Sequence, residues 1–164
     1  MQGYDPSGWH DLLVAVAGAS AALAGLLFVA ISINLRQILD VKVLPSRAAS
    51  ALGALFLALI VSILTLVPGQ SRTVLGAELL VCAVPTWLAT TYRYVRSGRA
   101  EQQSRFAYGS DLTLAELAVV PFVGAGVSLV AGAGGGLYWL VPAFVFAFAT
   151  AAVNGWVLLV EIWR

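Results

Sequence analysis

The feature that most constrains this chain is an apolar run from about Leu12 to Leu35 that contains no charged residue. In an α-helix rising ~1.5 Å per residue, such a run crosses a hydrocarbon core of ~30 Å with length left for tilt. A helix apolar on every face has no place on a soluble domain, so the run reads as a transmembrane helix. Ala19-Ser20-Ala21 has the form of a signal-peptidase site, but no Lys or Arg precedes it and the apolar run continues past it, so the segment is expected to be retained.

Four further stretches obey the same rule: Ala48 to Val67, Val74 to Val95, Leu112 to Ala131 and Leu137 to Ile162. Pro68-Gly69, the polar segment Arg96 to Asp111 and the run Gly132 to Gly136 separate them, each a composition that interrupts a membrane helix. The chain is 60% hydrophobic and only 10% charged, against about 25% charged in soluble domains. The predicted fold class is therefore all-α: an integral membrane bundle of about five transmembrane helices forming one domain over residues 1–164.

Positive charge predicts the orientation. Arg36, Lys42 and Arg47 lie between the first two spans, Arg93, Arg96, Arg99 and Arg105 at or between the third and fourth, and Arg164 at the C-terminus. Of the 9 Lys and Arg, only Arg72 falls on the other side. The positive-inside rule then places the N-terminus outside and the C-terminus in the cytoplasm. Trp9, Tyr92, Tyr94, Tyr138, Trp139 and Trp163 fall at span ends, where aromatic anchors settle. Arg far outnumbers Lys, and Ala, Val, Leu and Gly dominate, as in GC-rich bacterial genomes. The expected location is a bacterial plasma membrane.

Several function classes drop out. A net charge of +1 offers no basic field for nucleic acid. Cys82 has no partner for an intrachain disulfide, and His10 alone cannot build a metal or haem site, so no metal or cofactor is expected. The Gly132 to Gly136 run lacks the strand, the Lys and the spacing of a phosphate loop and reads as a hairpin turn. No Ser, Cys or Thr has a histidine base within reach, and the carboxylates are spread over both leaflets, so the chain is not expected to be an enzyme.

Two patterns remain as candidate sites. Ala17, Ala21 and Gly25 recur every four residues in the first span, flanked by Gly18 and Ala22. Small residues let helix backbones approach closely in lipid, so this face is expected to pack against another helix of the chain or, alternatively, against a second copy or a partner. The second pattern is polar. Thr150, Asn154 and Glu161 share one face of the last span and point either into the bundle, with Ser32 or Asn34 as hydrogen-bonding neighbours, or along an ion or proton path. Glu116, read as starting the second turn of the fourth span, is expected to pair with Arg93 or Arg96. Glu78 has only Arg72, at poor spacing, as an ionic partner. Every intramembrane carboxylate needs such a partner or a water path. Pro85 and Pro121 are expected to lie within spans and kink them, and Trp87 with Phe144, Phe146 and Phe148 could bound a lipid or quinone groove.

Trp9-His10-Asp11, then Gly25-Leu26-Leu27-Phe28-Val29-Ala30 and Ser32-Ile33-Asn34-Leu35, with Asn154-Gly155-Trp156-Val157-Leu158-Leu159-Val160-Glu161-Ile162 at the far end, carry a resemblance over nearly the whole chain. They resemble a family of small bacterial membrane proteins, some of which bear the label modulator of FtsH protease. The resemblance transfers no catalytic or ligand residues; it implies a partner, a membrane-anchored ATP-dependent protease. The expected function is a non-enzymatic accessory or regulatory subunit that works through helix–helix contacts, surrounded by membrane lipids and bound to another membrane protein or to itself. The alternative is a homo-oligomeric ion channel or small proton-coupled transporter lined by Asn154, Glu161, Glu116 or Glu78.

Overall fold

The computed structural model describes residues 2–40, 44–100 and 105–160. Six α-helices follow two short 3₁₀ turns: α1 His10–Ile33, α2 Leu35–Asp40, α3 Leu44–Thr65, α4 Arg72–Ala100, α5 Arg105–Ala131 and α6 Leu140–Val160. Five stretches are long and apolar enough to cross a membrane: Pro6–Ile33, Leu44–Thr65, Arg72–Arg93, Thr113–Ala131 and Gly136–Val157. The protein is thus a multi-pass helical membrane protein, and no strand occurs among the described residues. One end of the bundle gathers the N-terminal turns and the two short hairpins and is called here the hairpin end. The other carries most of the arginines and is called the arginine end.

The segment Arg96 to Asp111, predicted as a loop, is largely helical, because α4 runs on to Ala100 and α5 already begins at Arg105. Arg and Ala, which occur in the described parts of the segment, are strong helix formers, and once nucleated inside the membrane a helix continues into such residues at little cost. Pro85 and Pro121 both lie inside helices, as predicted.

Helix α3 occupies the centre, packing against α1, α4 and α6, while α5 packs between α4 and α6. Its position follows from its small residues: Ala51, Ala54, Ala58 and Ser62 are all buried and bring three neighbouring helices close. Ser62 and Thr65 donate to the carbonyls of Ala58 and Val61, one turn back, so their hydroxyls are satisfied within the helix. Bulky residues fill the remaining core around Phe122, which meets Phe144 edge to face with ring centroids 5.7 Å apart. The α5–α6 hairpin is fixed by Ser128, whose hydroxyl donates to the Ala133 carbonyl and accepts from the Gly136 N–H at 2.7 Å. Gly136 has a φ of 57°, and a Cβ there would collide with the carbonyl of Gly3, so the N-terminal turn is seated directly on this hairpin.

Candidate functional site

The tightest polar arrangement at membrane depth is built between α4 and α5. Glu116 lies three residues inside the Thr113–Ala131 span. Its Oε2 accepts from the indole Nε1 of Trp87 at 2.5 Å and its Oε1 from the Thr91 hydroxyl at 2.6 Å. Trp87 and Thr91 are one turn apart on α4 and therefore share a face. Both carboxylate oxygens are thus engaged by neutral donors.

This differs from the arginine pair expected at Glu116. The Arg93 side chain is exposed, and that of Arg96 lies outside the described side chains. The helix-dipole argument fails as well. Helix α5 begins at Arg105, so Glu116 lies about three turns into it, beyond the first turn where the dipole acts. The signal that could have identified the true partners is Trp87 itself, since an indole N–H at membrane depth needs an acceptor. A carboxylate held this way can anchor the two helices, or take a proton or a cation on its remaining lone pairs.

Glu78 also has a neutral partner that sequence reasoning missed. Its Oε2 accepts from Nε2 of Gln70 at 2.9 Å, across the turn that precedes α4. Arg72 is drawn elsewhere, its guanidinium lying against Gly132 so closely that a Cβ there would sit 2.5 Å from Nη1. The two intramembrane glutamates are on opposite halves of the bundle, so they do not form one site.

On α6, Thr150 and Asn154 are both buried, as a bundle-facing stripe requires. Thr150 makes a long hydrogen bond of 3.4 Å to the Leu114 carbonyl on α5, two residues before Glu116. Glu161, the third member of the stripe, lies outside the described residues. Ser32 and Asn34, the expected neighbours, instead donate to the carbonyls of Phe28 and Ala30 on their own helix. Of the aromatic residues read as bounding a groove, Trp87 donates to Glu116, Phe144 is buried against Phe122, and Phe148 faces an apolar groove with Leu26, Leu27, Leu55 and Trp156.

The small-residue face of α1 is turned away from the bundle. Helix α1 buries a single stripe, Leu13, Val16, Ser20, Ala24, Leu27 and Ala30, which packs mainly on α3. Gly18, Ala21, Ala22 and Gly25 are exposed and Ala17 is half-buried. A Cβ built at Gly18 or Gly25 meets nothing within 4 Å. Packing of this face within the chain, the first expectation, is therefore not what the fold adopts. The reason is geometric, because the bulkier Leu13, Val16 and Leu27 flank Ser20 and Ala24 on the stripe that fits α3, and both stripes cannot face the same neighbour.

Among the described residues no group of three or more His, Cys, Asp or Glu converges as a metal site would require. No family model, no curated protein and no solved structure matches the chain.

Proposed function

We propose that the chain is a non-enzymatic accessory or regulatory subunit of a bacterial plasma membrane, with its N-terminus outside and its C-terminus in the cytoplasm. It works by docking α1 on a larger membrane protein or on a second copy of itself. The observation that carries this reading is the open face of Ala17, Gly18, Ala21, Ala22 and Gly25. Small side chains gain little from contact with lipid tails but let another backbone come close, so a turn-by-turn run of them on a peripheral helix makes physical sense when another helix is to approach. A membrane-anchored ATP-dependent protease is the partner that the family resemblance suggests. A photo-crosslinking residue at Ala22, activated in native membranes, is expected to trap one discrete protein. Recovery of lipid adducts alone would defeat the reading, whereas a covalent dimer of the chain would assign the face to self-association.

A second reading is an oligomeric proton or ion pathway, and Glu116 favours it, since an intramembrane carboxylate engaged only by neutral described donors retains capacity for a cation. It requires flux through proteoliposomes that Glu116→Gln reduces. Absence of flux in the parent protein ends it.

A further inference from the structure

The hairpin end of the bundle holds a pocket of about 570 Å³ lined by Asp5, Ser7, Gly8, Trp9, Leu12 and Tyr138. That volume falls within the ~300–1,000 Å³ of small-molecule sites and is far more than a bare metal ion fills. Its shape is set by two rings. Trp9 and Tyr138 meet edge to face, with centroids 5.0 Å apart and planes at 77°, so the two ring planes stand close to perpendicular in its wall. Tyr138 as a residue remains 52% exposed.

A carboxylate stands in the same wall. Asp5 caps the turn Pro6–Trp9, its Oδ1 accepting from the Ser7 backbone N–H at 2.9 Å. That bond, reinforced by the Ser7 hydroxyl, holds the Asp5 carboxyl below the usual carboxylate range and keeps it ionised at neutral pH. An ionised carboxylate has about four lone-pair sites, so Ser7 leaves it capacity for another positive group. Among the described residues no cationic side chain is in the lining, and Arg72 is committed against Gly132.

Interfacial anchoring accounts for an aromatic residue at this depth but not for a pinned carboxylate lining the same pocket as two perpendicular rings. The ring faces are negative and attract cations, the carboxylate adds a full charge, and Leu12 supplies an apolar surface. An anion is repelled by this set. A strongly hydrated ammonium or metal ion would lose more water than one carboxylate replaces. A quaternary ammonium has diffuse charge, methyl groups and no hydrogen-bond donors to satisfy, and it matches all three components. We propose that the pocket bounded by Asp5, Trp9, Leu12 and Tyr138 binds a quaternary ammonium group, carried either by a small soluble cation of the choline type or by a phosphatidylcholine headgroup.

The test is titration calorimetry of the full chain in nanodiscs of phosphatidylglycerol, with choline as the probe and 3,3-dimethyl-1-butanol as its uncharged isostere. Choline is expected to bind saturably, with the isostere about tenfold weaker or worse. Tyr138→Leu should lower choline affinity by about tenfold and Tyr138→Phe should preserve it, because Phe keeps the ring face. Asp5→Asn, an exposed and nearly isosteric change that spares the aromatic packing, should weaken choline by about three- to tenfold and leave the isostere unaffected. Circular dichroism of each variant identifies any that fail to fold. Repeating the titration in phosphatidylcholine nanodiscs separates the sources: loss of choline binding by competition assigns the site to the headgroup, and unchanged affinity assigns it to the soluble cation. Equal binding of choline and its isostere, no saturable choline binding in phosphatidylglycerol at millimolar concentration, or indifference to both Asp5→Asn and Tyr138→Leu would overturn the proposal.

Discussion

Helix α1 and the pair α4–α5 both carry glycines at membrane depth, and they use them in opposite ways. A Cβ at Gly76 on α4 would lie 2.9 Å from the Gly126 carbonyl on α5, and one at Gly126 would lie 2.7 Å from Leu80 and 3.0 Å from the Gly76 carbonyl. The two backbones are in contact through the absent side chains. On α1, by contrast, Gly18 and Gly25 border open space. Polar groups differ in the same sense. Trp87 and Thr91 reach from α4 to Glu116 on α5, whereas Ser32 of α1 bonds back to its own helix and the buried Ser20 hydroxyl has no partner among the described residues. Small residues permit close approach, but in lipid an approach is held by packing and by hydrogen bonds made across it. The α4–α5 pair has both, and α1 has neither on its small-residue face.

The largest expected effect breaks the comparison on the α4–α5 side. Gly126→Leu forces atoms into the Gly76 backbone and the Leu80 side chain, an overpacking expected to cost about 3 kcal/mol or more, read as loss of folded protein in a reversible unfolding assay in bicelles. A destabilisation below that of Gly25→Leu would mean that the close approach is not what holds the pair. Next comes Trp87→Phe, which strips one donor from the Glu116 carboxylate and should cost about 1–3 kcal/mol. The triple variant Trp87→Phe, Thr91→Val, Glu116→Leu is expected to recover most of that loss, because nothing polar is then left unpaired. Failure to recover would assign Glu116 a further partner beyond Trp87 and Thr91.

On the α1 side the same assay should register almost nothing. Gly25→Leu places a side chain in open space and is expected to stay within about 0.5 kcal/mol of the parent, while abolishing the crosslink trapped from Ala22. Unfolding caused by Gly25→Leu would show that α1 is covered in the isolated protein after all. The smallest effect lies where the chain enters α1. Hydrogen bonding to Ser7 lowers the folded-state value of Asp5, so its contribution is present above the unfolded value of about 3.9 and disappears as pH falls through the lower folded value. The Ser7 amide resonance should therefore shift below pH 4 with a midpoint under 3.9, and Asp5→Asn should remove the transition.

The spans and turns were legible because each rests on a local property. Charge-free length marks α1, and Gly132 to Gly136 mark the α5–α6 hairpin through positive φ values that other residues resist. The partners were not legible. Glu116 appeared to need an arginine because charges invite pairing by sign, yet Trp87 and Thr91, 29 and 25 positions away, satisfy both of its oxygens. Likewise the first span offered small residues at four-residue spacing and that set stays open, while Ala54, Ala58 and Ser62 of α3, at the same spacing, are buried.

Hydropathy and length, summed along the chain, by themselves determined that this protein crosses a membrane and how many helices do so, because the cost of placing backbone and charge in hydrocarbon is paid segment by segment. Which face of each helix turns inward, and which groups answer its carboxylates, only the tertiary structure decided. Those choices depend on the three-dimensional fit of all the helices at once, and in lipid no difference in hydrophobicity favours one apolar face over another.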